Sequence, residues 1–204
     1  MELILVDVES QYAKDKNLKK EDVEALLDWV NKQPHLPKIN ELQAIAFLHS
    51  CYYRNEAAKV TIDYFFTVKT TSDMFRNRDP LSAPVQNAFR TTLCSTLSKK
   101  TPEGYVVFFF KLLDTNPSNF NFENIIRFAD MVNTLERFQC GISTGHVLLL
   151  DLAGLSLGHI ARVGPLSLKT FLFYLQEALP VRLKKIHVYN AGQFVNTLMN
   201  LVKP

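Results

Sequence analysis

The chain has 204 residues, 47% of them hydrophobic and 21% charged, with a formal net charge of +3. That length and balance fit one globular domain or two small ones with a real core, and a charge so small gives no reason to expect a nucleic-acid partner. Three cysteines with no C-x-x-C argue against a disulfide framework, and seven glycines in all leave little material for a phosphate-binding loop.

The start, "MELILVDVESQ", has no basic n-region, and no run of 18 apolar residues follows anywhere. A reduced, cytoplasmic, soluble protein is expected. "KKEDVEALLDWVNKQ" spaces Val23, Leu26, Leu27 and Val30 as a helix that Pro34 and Pro37 end. "INELQAIAFLHSCYYRN" predicts a second helix with Leu42, Ile45, Ala46 and His49 on one face. "EAAKVTIDYFFTVKT" predicts a third, with Ala57, Val60, Thr61 and Tyr64 on its face. "FRNRDPLSAP" reads as a linker broken by Pro80 and Pro84, so residues 1–83 form a helical subdomain.

Residues 84–204 change pattern. "GYVVFFFKL" predicts a strand buried on both faces. A long helix capped near Asn121 follows, then a strand in "STGHVLLLDLAG". Next come a helix from Pro165 through "FLFYLQEAL", a strand in "VRLKKIHVYN" and a last helix in "AGQFVNTLMNLVKP". Strands alternating with helices imply βαβ units. The predicted fold is α/β: a helical subdomain, then a mixed, largely parallel sheet flanked by helices around an apolar pocket.

Gly154-Leu155-Ser156-Leu157-Gly158 matches the G-x-S-x-G elbow of serine hydrolases. The partners such an elbow needs do not follow it. Glu177 sits within an apolar-striped helix, and no HGGG-type oxyanion loop is present. Ser156 therefore reads as a turn or helix-capping residue. The five histidines show neither H-x-x-x-H nor H-E-x-x-H spacing, so neither a metal nor another cofactor is expected, and no enzymatic activity.

What the sequence does build is apolar. Phe171, Tyr174, Leu175, Ala178 and Leu179 make one helical stripe. Val181 and Leu183 then alternate with Arg182 and Lys184, with Ile186 continuing the apolar side. Ile125, Phe128 and Val132 form a stripe on an earlier helix, and Phe194, Leu198 and Leu201 on the last one. From Leu157 onward there are six basic residues and one acid. An apolar pocket with a basic rim suits a lipid and an anionic surface.

Several segments resemble the CRAL-TRIO lipid-binding family: "LLLDLAGLSLGHI", "LSLKTFLFYLQEALPVRLKKIHVYNAGQF" and "NLVKP". Asp151, Gly154, Gln176, Pro180, Arg182, His187, Asn190, Lys203 and Pro204 match its motifs. The helices of residues 20–78 resemble its N-terminal subdomain, and the nearest likeness is to its tocopherol-transfer and retinaldehyde-binding branch. The resemblance implies a carrier that moves one hydrophobic molecule between membranes: tocopherol-, retinoid-, carotenoid- or phospholipid-like. It implies ligand contacts at Ile125, Val132, Val163, Phe171, Tyr174, Leu175, Leu179, Val181, Leu183 and Ile186, with Phe194 and Leu198 on a mobile gate helix. Arg182, Lys184, Lys185 and Lys203 would face anionic membranes and phosphoinositide headgroups. The chain departs from the family in Ala46, His49 and Cys51, where many members carry arginines, and in Asn190-Ala191-Gly192, where N-x-P is usual. The family also continues past the position of Pro204, so a chain stopping there is expected to lack a sheet edge and part of the gate. Such an open pocket gives a second reading, a protein-interaction module.

Overall fold

The computed structural model of the chain describes residues 5–192. Helix α1 (Val8–Lys14), which the sequence does not announce, starts at Asp7, whose carboxylate accepts the Ser10 N–H at 2.8 Å. Helix α2 (Lys20–Asn31) buries Val23, Leu26 and Val30 at the predicted spacing. Helix α3 (Glu41–Ser50) opens in a capping box, in which the side chains of Asn40 and Gln43 each accept the other's backbone N–H at 2.9 Å. Helix α4 (Asn55–Thr71) turns Ala58, Ile62 and Val68 inward. The predicted face is displaced by one residue, and Val60 and Tyr64 are 49% and 39% exposed. Two stripes run side by side here, and the one holding Ile62 meets Leu26, Ile45 and Leu48 in the core.

The predicted linker is ordered. A 3-10 turn at Asp73–Phe75 buries Met74 and Phe75. Helix α5 (Ala83–Thr91) carries Pro84 in its first turn, so this proline starts a helix instead of breaking one: its missing N–H would have no partner there anyway. α5 leads directly into β1 (Thr92–Thr96), then β2 (Val106–Leu112), α6 (Phe122–Cys140), β3 (His146–Asp151), α7 (Leu157–Ile160), α8 (Pro165–Phe173) and β4 (Leu183–Tyr189). Asn121 caps α6 as expected, accepting the Asn124 N–H at 2.9 Å. The helix predicted from Pro165 through Leu179 changes pitch, because Tyr174–Ala178 form a π turn. The sheet order is β1-β2-β3-β4, with β1 antiparallel to β2 and the other pairs parallel. This is the α/β class the sequence predicts: helices first, then a mixed sheet with flanking helices.

One buried carboxylate ties four segments together. Asp130 of α6 is 5% exposed. It accepts from Lys69 Nζ of α4 at 2.5 Å, from Tyr174 Oη of the π turn at 2.6 Å, and from Arg78 of the linker. Burial alone would raise its pKa, but Lys69 and Arg78 overcome that and hold it below the ordinary carboxylate value. The Lys69 ammonium sits over the rings of Phe75, Tyr174 and Phe65 at 4.6, 4.9 and 5.1 Å. Burial lowers its pKa to about 8 against the pull of Asp130. Less than one turn before Asp130 on the same helix, the linker is held again: buried Arg127 donates to the carbonyls of Arg76 at 2.7 Å and Asp73 at 2.6 Å.

A second seam joins the helical subdomain to the start of β4. Arg182 Nε donates to the carbonyl of His49 at 2.7 Å, and its guanidinium lies 4.3 Å from the Tyr52 ring centroid and 5.4 Å from that of Tyr53. The Tyr53 hydroxyl donates to Asp15. His49 is 5% exposed; burial first and Arg182 second push its pKa down to about 4.

Asp130→Asn should leave two cations facing a neutral amide and lower the unfolding free energy by about 3–5 kcal/mol, read by urea denaturation. Adding Lys69→Met should restore part of that loss, and a surface-like change below about 0.5 kcal/mol for the single variant would contradict the arrangement. For His49 the sign follows from proton binding. Between the ordinary pKa of 6.5 and about 4, the unfolded chain carries the proton and the folded one does not. Stability therefore falls as pH drops through that window. His49→Phe, which keeps the backbone carbonyl that Arg182 uses, should flatten the decline by up to about 1.4 kcal/mol per pH unit.

Candidate functional site

The register of the sheet sorts its side chains into two faces. Thr96, Phe108, Leu148 and Ile186 lie side by side across the four strands, as do Cys94, Phe110, Leu150 and Val188. Side chains two apart share a face, so these residues form one continuous apolar surface. The other face is mixed, with Phe109 and Leu149 beside Ser95, Lys111, Asp151 and His187. Phe110 packs with Ile125 and Phe128 of α6 and with Val163, so the apolar face is the one α6 covers. Val132 follows Phe128 by one turn and Glu136 follows Val132. Glu136 in turn approaches His146, the first residue of β3 on that same face, at 3.8 Å.

The sequence predicts β2 as buried on both faces. It is buried at Val106, Val107 and Leu112 but only half-buried from Phe108 to Lys111, and Leu148–Leu150 of β3 are likewise half-buried. On β4, Ile186 and Val188 are 48% and 41% exposed. The apolar face is thus deepest under α6 and most accessible towards β4. Phe108, Phe110, Leu148 and Leu150 are floor residues that the sequence reading passes over. Their signal is the phase of the two central strands: every second residue is apolar on both strands in register.

The predicted lining residues separate into three groups. Ile125 and Val163 belong to the cluster with Phe110, and half-buried Val132 lies two turns beyond Ile125 on α6. Phe171, Tyr174 and Leu179 belong to a second cluster with Met74 and Phe75. The two clusters meet at Phe122, whose ring is 5.8 Å from that of Phe171. Tyr174 is committed to Asp130, and half-buried Leu175 neighbours it. Val181 goes elsewhere. It lines a cavity of about 60 Å³ between α3, α4 and the end of α6, with Phe47, Phe65, His49 and His146. That space has room for only a few waters, far less than the ~300 Å³ or more of a small-molecule pocket. Phe194, Leu198 and Lys203 lie outside the described residues.

A bulge sets the rim. Leu183 pairs with His146 and Lys185 with Val147, leaving Lys184 as an extra residue on β4. This insertion lets odd-numbered Leu183 share the apolar face with even-numbered Ile186 and Val188, and it turns Lys184 aside. The Lys184 side chain crosses Gly145, where a Cβ would come within 2.5 Å of Lys184 Cγ, and Nζ donates to the Tyr52 hydroxyl at 2.9 Å. The alternation that sends both Arg182 and Lys184 freely outward therefore needs correcting. Arg182 is half-buried against α3, because the carbonyl of His49 and two tyrosine rings compete for it. Lys184 and Lys185 are exposed. Tyr52, which receives both cations, is the rim residue that charge counting misses.

At the other end of the sheet, Asp151 accepts from Ala153 N–H at 3.1 Å and from the Asn190 amide at 2.8 Å, so the two motif residues that close β3 and β4 clasp each other. The Asn190 hydrogen bond is the first cause holding the Asp151 carboxyl below its usual range. Gly154 has φ +82°, and a Cβ there would lie 2.2 Å from Thr115 Cγ2. Ser156 caps α7: His159 Nδ1 accepts its N–H at 3.1 Å, and its Oγ lies 2.9 Å from the same nitrogen. Among the described residues His159 Nε2 has no hydrogen-bond partner, and the imidazole meets the Phe120 ring edge-on at 5.2 Å. Among the described residues, no cluster of three metal-ligating side chains and no helix long and apolar enough to cross a membrane occurs.

Comparison with known proteins agrees with this geometry. Residues 15–85 match a family described as Pinta-like, UBA domain, and residues 90–204 match the CRAL/TRIO domain. Alpha-tocopherol transfer protein-like proteins of Pongo abelii and Homo sapiens are each 26% identical over 189 residues, covering 90% of this chain and 54% of the relative. The Mus musculus counterpart is 25% identical over the same span. The chain thus spans about half the length of these curated relatives. With its sheet, its strand-end clasp and more than half its length matched, the chain belongs to the CRAL/TRIO family.

Proposed function

We propose that the chain binds a hydrophobic small molecule or lipid on the apolar face of its sheet and transfers it between membranes, docking through the basic residues beside β4. The observation that carries this reading is the in-register apolar surface from Phe108 and Phe110 to Ile186 and Val188, half-buried at its centre. Burying such a surface is worth roughly 25 cal/mol per Å² removed from water, so a hydrophobic occupant gains most where the protein leaves it accessible. A tocopherol-, retinoid-, carotenoid- or phospholipid-like molecule fits this chemistry, and the relatives are named for their likeness to a tocopherol transfer protein. Anionic membranes, phosphoinositides included, suit Lys184 and Lys185, with Lys203 as a further candidate. The exposure of Ile186 and Val188 favours one rival, in which the open face receives a partner protein.

Native mass spectrometry of the purified protein, followed by solvent extraction, separates the two. A co-purifying lipid at near-stoichiometric yield is expected; an empty protein that also takes up no fluorescent tocopherol or retinoid favours the rival. Ile186→Arg places a charge on the apolar face at an exposed position, so the fold should keep its stability within about 0.5 kcal/mol while lipid uptake is lost. Uptake at wild-type affinity would remove the face from the site. Lys184→Glu with Lys185→Glu should weaken co-sedimentation with phosphatidylserine or phosphoinositide vesicles and leave ligand affinity in detergent unchanged. Arg182 is left intact in this test because its loss would release α3. Unchanged co-sedimentation would remove the rim.

A further inference from the structure

The basic edge beside β4 continues onto the β1–β2 hairpin. β1 ends at Thr96, and residues 97–105 return the chain to β2. Hydrogen bonds fix this connection. Leu97 N–H donates to the Val107 carbonyl at 2.9 Å, and Thr101 N–H to that of Tyr105 at 3.0 Å. Gly104 N–H closes a tight turn on the Thr101 carbonyl at 2.8 Å, with Pro102 second in the turn and Gly104 at φ +82°. Lys99 and Lys100 stand exposed just before that turn. Three contacts place the hairpin beside the start of β4. The Thr144 hydroxyl, in the loop before β3, donates to the Gly104 carbonyl at 3.2 Å. Tyr105 and Lys184 meet across Gly145, where a Cβ would lie 2.8 Å from Tyr105 Cδ1 and 2.5 Å from Lys184 Cγ. Hydrogen bonding by Thr101 first, and by its own backbone second, holds the Glu103 carboxyl below its usual range, and the Lys185 ammonium adds to them. On the other side the hairpin approaches α1. Lys14 donates to the carbonyls of Ile142 at 2.5 Å and Cys140 at 3.4 Å, and partial burial first, then the Lys100 ammonium, lowers its pKa.

Lys14, Lys99, Lys100, Lys184 and Lys185 are thus all exposed at the end of the sheet where β2, β3 and β4 begin. Among the described residues none of them enters an ion pair, and Glu103 is the only acid of the hairpin. The other end of the strands carries Asp114 and Asp151, the latter 3.6 Å from its partner Lys111. Like charges gathered without counter-ions repel one another, and an anionic surface relieves that repulsion. We propose that the β1–β2 hairpin is a second membrane-docking element, so that an anionic bilayer meets this end of the sheet and touches Lys99, Lys100 and Leu97 together with Lys185. Lysines are separate point charges on flexible stems, and these are spread from α1 to β4 with no cleft gathering them, which suits an extended charged surface and not one compact anion. Leu97, 43% exposed at the foot of the hairpin, adds an apolar contact that a bilayer receives and a free acidic chain does not require. The proposal rests on the membrane-docking part of the function proposed above. It goes further in fixing an orientation, with the Asp151–Asn190 clasp turned away from the bilayer.

The test is co-sedimentation of the full chain with phosphatidylcholine vesicles, with and without phosphatidylserine. Lys99→Gln with Lys100→Gln, two exposed changes, should lower the partition onto phosphatidylserine vesicles by about thirtyfold, at roughly fivefold per lysine near an anionic surface. The far-ultraviolet circular dichroism should stay unchanged, and the variant should lose part of the salt dependence of the unaltered protein. A polarity-sensitive dye on Leu97→Cys, in a Cys140→Ser background, should shift to the blue on vesicle binding. The same dye on Leu113→Cys, just past the far end of β2 and 56% exposed, should not. An unchanged partition of the Lys99 and Lys100 variant, with Lys184→Glu and Lys185→Glu still weakening it, would overturn the hairpin and leave the edge beside β4 standing. If neither pair of changes matters, the docking reading itself fails and this proposal with it. A shift at Leu113 in place of Leu97 would overturn the orientation. Binding of polyglutamate in preference to the vesicles would assign this end of the sheet to an acidic protein and overturn the proposal as well.

Discussion

Asp130 is the constraint on which the rest of the molecule depends. It is the one buried carboxylate that α4, the linker, α6 and the π turn all address, through Lys69, Arg78 and Tyr174. An ion pair out of water must be well satisfied or it destabilises, and here two cations and a hydroxyl supply donors while three rings surround the ammonium. The consequence is geometric. α6 is locked against α4 on one side, so its other side, the stripe of Ile125, Phe128 and Val132, is fixed over the sheet. The helical subdomain thereby positions the wall of the proposed lipid site. The π turn takes part in the same lock. Tyr174 and Ala178 are buried towards α4, and the pitch change leaves Leu175 half-buried between them.

The sheet divides labour by parity. Even-numbered residues of β2 and β3 give the apolar face, and odd-numbered ones a mixed face that ends in Asp151. On β4 the parity would run the wrong way, since Leu183 and Ile186 differ by three. The extra residue at Lys184 absorbs the mismatch. One insertion therefore achieves two things: it keeps the apolar face continuous to the edge strand, and it diverts a lysine across Gly145 towards Tyr52.

Much of this was legible in the letters, and the failures have physical causes. Val23, Leu26 and Val30 are read correctly because α2 has a single stripe. α4 carries two adjacent stripes, so pattern alone could not choose between Val60 and Ile62, and the partner helices decided. Pro84 is a breaker in the middle of a helix and a starter in its first turn, a distinction set by the neighbouring backbone rather than by the residue. β1 is hidden because Thr-Leu-Cys-Ser-Thr alternates weakly and is held by pairing with β2. The Asp151, Gly154 and Asn190 motif is legible because its roles are local: a turn that needs positive φ and a side chain that bridges two strand ends. Arg182 is misjudged because alternation describes a strand in isolation and is silent about the carbonyl of His49, 133 positions away.

That misjudgement alters the electrostatics of the proposed rim. Counting charges makes Arg182, Lys184 and Lys185 equal contributors. The structure assigns them different work. Arg182 holds the turn after α3 by hydrogen bond and ring contact, so its charge is spent internally. Lys184 shares that turn through the Tyr52 hydroxyl, and the lysine lowers the tyrosine's pKa. Only Lys185 is left with no such tie among the described contacts. An anionic surface approaching this edge would therefore meet Lys185 first and compete with Tyr52 for Lys184. Any such competition acts on the turn that joins the helical subdomain to the sheet. On the proposed reading, membrane docking and the seam at His49 are then not separate features, since both draw on the same few side chains between Tyr52 and Lys185.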